Sequence, residues 1–212
     1  MVLSVPYVLK NIKASTKELF MRYGFGINVG FLFIFIIPLW LLARIIFSLI
    51  KKGKGKVINL KHEIALSVFV IYVIIVIGYT LFPIVIRFGE RFIYYQDFIN
   101  YIPIISLIKI WAIDILLRNV FGNIALFIPM GVFLPILWDK FRSLKKCLLM
   151  AAILSFAIEI FQCIENILAI SNMRICDIDD IILNSIGAII GYFIFKLLYK
   201  LYNGLVHKEA VI

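Results

Sequence analysis

The chain has 212 residues, 64% of them hydrophobic and only 16% charged, with 22 Lys and Arg against 12 Asp and Glu. A soluble chain of this length cannot bury that much apolar surface and still cover itself with polar groups. That excludes an ordinary cytosolic enzyme, a disordered chain, a fibrous protein and a disulfide-rich secreted scaffold, and it leaves an integral membrane protein. The net charge of +10 comes from basic residues beside apolar stretches, a pattern expected next to anionic lipid headgroups, so nucleic acid is not the expected partner.

A membrane-crossing helix needs about 20 mostly apolar residues. Residues 1–26 form an N-terminal amphipathic or tail segment. The first predicted crossing is Ile27–Ile50, which Pro38 is expected to kink and in which Arg44, near the end, can snorkel. It and the basic loop that follows make a unit of residues 27–63, ahead of a membrane domain at 64–201 and a C-terminal tail at 202–212. The second crossing is Ile64–Ile86. The stretch Ile102–Leu117 is apolar but carries Lys109 and Asp114, and reads as an interfacial or re-entrant helix. The third crossing, Val120–Trp138, contains Pro129, Gly131 and Pro135, which bundle neighbours can accommodate. The fourth is Cys147–Leu168 and the fifth Ile181–Leu201. The predicted fold class is therefore all-α: a polytopic transmembrane helical bundle of about five membrane-spanning helices plus an interfacial or re-entrant helix.

Lys and Arg counts in short loops set the orientation. Lys51–Glu63 carries five lysines and one acid, and Asp139–Lys146 four basic residues and one acid, whereas Glu165–Asp180 has one Arg and four acids. The first two loops and the C-terminus are placed in the cytoplasm, and the third outside. Five crossings then put the N-terminus outside, against the pull of Lys10, Lys13, Lys17 and Arg22. A surface helix there, or a first segment that does not fully cross, are the alternatives.

An ionisable side chain at the centre of a membrane helix costs about 2.5–3.5 kcal/mol on insertion scales and so marks a candidate site. Glu159 is the clearest case, and it needs a proton, a cation or hydrogen-bond donors. Ser155, Glu159, Gln162 and Asn166 share one stripe of the fourth helix, and Asp177, Asp180, Asn184, Gly187 and Gly191 one stripe of the fifth. Asn119 and Asn123 share a face of the third. Asn123, Glu159, Gln162, Asn184 and the Arg174–Asp180 loop map to the outer half of the membrane, and Arg118, Asp97 and Asn100 to the other outer loop, whereas the inner half has almost no polar side chains beyond flanking lysines. Interhelical hydrogen bonding is the plainer reading of each Asn and Gln alone, and close packing that of the Gly187–Gly191 pair; the set as a whole favours a polar cavity open to the outer leaflet. Asp177, Asp179 and Asp180 are weak candidates for Mg²⁺ or Ca²⁺, three acids in a loop being more often a helix cap. No cofactor motif is present. Of the three cysteines, Cys163 and Cys176 would form a disulfide if both faced outward, but buried free thiols are the reading preferred here.

These stretches resemble the VanZ-like family of bacterial membrane proteins. The matching pieces are Tyr79–Pro83, Phe98–Pro103, Asn119–Asn123 with Phe127–Gly131 and Leu134-Pro135, Ser155 with Ile158-Glu159 and Gln162, and Arg174–Asn184 continuing to Gly187 and Gly191-Tyr192. The resemblance covers roughly residues 72–192. It implies a multi-pass protein of the bacterial cytoplasmic membrane and a cell-envelope role, the family being named for a protein linked to low-level resistance to teicoplanin, a lipoglycopeptide. Asn123, Glu159, Gln162, Arg174, Asp177, Asp180 and Asn184 carry over as family-typical positions.

Three functions compete. The first is a non-catalytic protein that modulates lipoglycopeptide resistance through the outward polar pocket, with Arg118 and Arg174 on anionic groups of the drug or of a cell-wall lipid. The second is an intramembrane enzyme acting on a lipid or polyprenyl phosphate, with Glu159 as acid or base. The third is a lipid transporter. Membrane lipids, a second copy of the chain or another membrane protein are the expected partners.

Overall fold

A computed structural model of the protein describes residues 25–86, 99–100, 102–103, 113–167 and 176–209. Strand β1 (Phe25–Ile27) leads into helix α1 (Val29–Gly53), and helix α2 (Leu60–Leu81) is followed by strand β2 (Ile84–Ile86). Then come β3 (Ile99–Asn100), α3 (Ile113–Leu137), a 3-10 turn at Asp139–Phe141, α4 (Leu144–Ile167), β4 (Cys176–Asp177) and α5 (Ile178–Glu209). The fold is all-α, and among the described residues five helices each contain a stretch long and apolar enough to cross a membrane.

Local chemistry sets the helix ends. α1 closes in a Schellman motif: the Lys56 N–H reaches the Lys51 carbonyl and the Gly55 N–H the Lys52 carbonyl, both at 3.0 Å, while Gly55 takes φ +69°. The Asn59 side chain then accepts the His62 N–H at 3.2 Å and caps α2. α2 stops at Leu81, so Ile84–Ile86, expected to complete the second crossing, instead form a strand. Pro83 is the reason: it offers no N–H and disfavours helical backbone at Phe82. At Pro38 the helix persists, but residues Leu32–Ile36 widen into π winding, which accommodates the proline ring against the preceding turn.

Pro129 and Pro135 lie inside α3 without ending it. Of the expected interfacial helix at Ile102–Leu117, residues 104–112 lie outside the described residues, and Ile113–Leu117 continue directly into α3. The N-terminal segment also lies outside the described residues up to residue 24. β1 pairs antiparallel with β2, which sets the start of α1 beside the end of α2. Arg44 pairs with the first turn of α2: its Nε donates to Glu63 Oε2 at 3.0 Å, and its guanidinium lies 4.9 Å from the Phe47 ring centroid.

α3 and α5 run parallel and make the most extensive helix contact, and α4 packs antiparallel against α5. The apolar core, formed by residues such as Phe69, Phe127, Leu134, Leu137, Phe141 and Cys147, fills the end of the bundle that carries the basic loops. α1 leans on α2 and buries none of its own side chains in the bundle.

Candidate functional site

The opposite end is polar. Ser155, Glu159 and Gln162, at i, i+4 and i+7 of α4, are all buried, as is Asn184 on α5. Asn184 Nδ2 donates to Ser155 Oγ at 2.8 Å, joining the two helices across their seam. Asn123 on α3 donates through Nδ2 to Asp180 on α5. Gln162 Nε2 donates to the Thr80 carbonyl at 2.9 Å. That carbonyl is free because α2 ends one residue later and no backbone N–H follows at the right pitch. Four helices are thereby tied together by polar side chains over about two turns at this end of the bundle.

The approach to α5 is pinned to the same cluster. Glu159 Oε2 accepts the backbone N–H of Asp177 at 2.8 Å. β3 pairs parallel with β4, setting Asn100 beside Asp177, and Asn100 Nδ2 donates to Asp177 Oδ1 at 2.8 Å. The same oxygen accepts the Asp179 N–H at 2.9 Å, capping α5, whose first turn carries Asp179 and Asp180. Among the described residues no group of three or more His, Cys, Asp or Glu side chains is placed to hold an ion.

A disulfide joins Cys163 to Cys176, with Cα atoms 5.5 Å apart, and overturns the expectation of free thiols at these positions. The β3–β4 pairing carries Cys176 back over the end of α4, a proximity that a separation of 13 residues does not reveal. Cys147 is free and buried. Denatured, unreduced chain should therefore take up one maleimide, at Cys147, and three after reduction. Replacing Cys163 and Cys176 with Ser should lower stability by roughly 3 kcal/mol, the scale for a loop of this length. Three reactive thiols before reduction would remove the staple.

Of the residues singled out by sequence, Asn123, Glu159, Gln162, Asp177, Asp180 and Asn184 come together. Arg118 and Asn119 are exposed on α3, and none of these bonds reaches them. Arg174 and the Asn166 side chain lie outside the described residues. Sequence reasoning missed the Thr80 carbonyl and the Asn100–Asp177 bond. Pro83 signals the first, since a proline two residues after a helix end frees carbonyls upstream; nothing in the spacing signals the second.

Compared with known families, residues 69–199 match the VanZ/LLP1 family model. The chain belongs to the VanZ/LLP1 family. No curated protein and no solved structure matches it. The VanZ match begins within α2 and runs into α5, so it contains the whole polar cluster and leaves out α1 and the Arg44–Glu63 pair. A VanZ-family chain with five such helices is a multi-pass membrane protein.

Proposed function

We propose that this VanZ-family protein lies in the bacterial cytoplasmic membrane and lowers susceptibility to teicoplanin, its outward polar cluster engaging the head group of an amphiphile, either the drug or a cell-wall lipid. What supports this reading is the division of the bundle. Polar side chains of α3, α4 and α5 and the Thr80 carbonyl of α2 meet toward one end, and the other end is filled with apolar side chains. Side chains that are expensive to hold among acyl tails have been gathered where an amphiphile's head group would lie. Exposed Phe121, Phe156, Phe161 and Ile182 flank that end and offer an acyl chain an apolar surface. The bare face of α1 is open to lipid, to a second copy or to another membrane protein.

The test compares isogenic bacteria with and without the chain. The minimal inhibitory concentration of teicoplanin should rise several-fold when the protein is present, while that of vancomycin, which carries no acyl chain, should stay the same. Equal values for both drugs in both strains would end this reading.

A further inference from the structure

The Asn184–Ser155 bond fixes the register of antiparallel α4 and α5. One turn further toward the polar end on each helix, that register sets Glu159 opposite Asp180. Both carboxylates receive neutral donors: the Asp177 N–H for Glu159 and Asn123 Nδ2 for Asp180. Among the described residues, no basic side chain forms an ion pair with either. Two carboxylates facing each other in a low-dielectric seam need a proton or a cation to offset their repulsion. A second, independent observation points to a ligand. Asn184 is 3% exposed, yet among the described residues nothing donates to its Oδ1, beside the amide nitrogen that holds Ser155 at the seam. A buried amide oxygen calls for a donor. The seam thus presents three acceptor groups, the Glu159 and Asp180 carboxylates and the Asn184 amide oxygen. A primary ammonium has three N–H donors on one positive centre and matches that set.

We propose that the α4–α5 seam binds the primary ammonium head group of an amphiphile through Glu159, Asp180 and Asn184 Oδ1. This rests on the reading of the same cluster as an amphiphile site, and it names the chemistry recognised there. The ammonium comes from an aminophospholipid of the outer leaflet or from the amine of a lipoglycopeptide; both present the same group on an apolar anchor.

The full chain in phosphatidylcholine nanodiscs is titrated with dodecylammonium and with dodecyltrimethylammonium, which has the same charge and no N–H. Glu159→Gln and Asp180→Asn keep the oxygens that accept from Asp177 and Asn123, so both variants retain the local bonds while losing charge. Dodecylammonium should bind the unmodified chain about tenfold tighter than the trimethyl analogue, and about tenfold tighter than it binds either variant. Competition by phosphatidylethanolamine supports the proposal and assigns the lipid source. Competition by teicoplanin, lost on N-acetylation, supports it and assigns the drug. Competition by neither, equal binding of the two amines, or binding unchanged in Asp180→Asn overturns it, the last two leaving a proton as what offsets the pair. Protection by Mg²⁺ in place of the amine also overturns it. Lost amine selectivity with protein-dependent teicoplanin susceptibility intact removes only this inference; amine selectivity without any susceptibility effect removes only the resistance function.

Discussion

Alanine at Gly191 is expected to force α3 and α5 apart. A Cβ there meets the Ile128 carbonyl oxygen and the Gly131 Cα, both backbone atoms of α3. The contact is repeated one turn earlier, where a Cβ on Gly187 meets the Ile124 carbonyl oxygen, and reciprocated by Gly131 against the Ala188 carbonyl oxygen. A flexible side chain can swing away from an added methyl; a helix carbonyl moves only with its helix. The cost should reach about 3 kcal/mol, the upper part of the usual range for overpacking. Separating the helices also stretches the Asn123–Asp180 bond, so the polar cluster loosens with the core. Gly122→Ala, on the facing helix α3, is the control, because among the described residues a Cβ there meets nothing within 4 Å; its stability should stay within ~0.5 kcal/mol. Denaturant unfolding in micelles, followed by circular dichroism, separates the two, and equal midpoints for Gly191→Ala and Gly122→Ala would remove the close helix contact from the account.

That contact was half legible in the sequence. The spacing of Gly187 and Gly191 announces a helix that approaches another closely, but it names neither the partner nor its direction. Parallel packing against α3 follows only once α4 is seen to return the chain to the end where α3 began. The same distinction runs through the molecule. Apolar runs of about 20 residues gave all five helices, because length and hydropathy are local properties of the chain. The stripes of α4 and α5 gave Glu159, Gln162, Asp180 and Asn184, because helical periodicity fixes which side chains share a face. Pairings that cross the bundle were not local. The Cys163–Cys176 bond and the Asn100–Asp177 contact both depend on two short strands, β3 and β4, of two residues each. No periodicity can be read from strands that short. Arg118 illustrates the opposite error: expected in the loop ahead of the third crossing and facing the pocket, it lies within α3 and is exposed, because nearness along the chain does not say which way a side chain faces. Of the partners open to Glu159, a proton, a cation or a hydrogen-bond donor, the described residues supply the last, as the Asp177 backbone N–H.

Glu159 is where folding and function can be separated by one atom type. In Glu159→Ala the Asp177 N–H loses its acceptor and a volume opens at a site that is 4% exposed. A buried donor left unsatisfied costs about 1–3 kcal/mol, and the truncation adds to that. The variant should therefore unfold at lower denaturant than the unmodified chain and should lose protection against teicoplanin, with membrane levels followed by immunoblot. Glu159→Gln keeps an oxygen in place for the Asp177 N–H and nearly the same volume, so its stability should stay within ~1 kcal/mol. What is gone is the carboxyl group's capacity to carry charge. If the charge engages the head group, Glu159→Gln should keep its fold and membrane level and still lose protection. If Glu159 serves only to pin β4 to α4, Glu159→Gln should protect as the unmodified chain does, and a ligand-contacting role for the carboxylate falls. The membrane lipid profile of the same strains separates binding from chemistry. An unchanged profile with lost protection fits a group that holds an amphiphile, whereas a lipid that accumulates in Glu159→Gln would return the acid or base role to consideration.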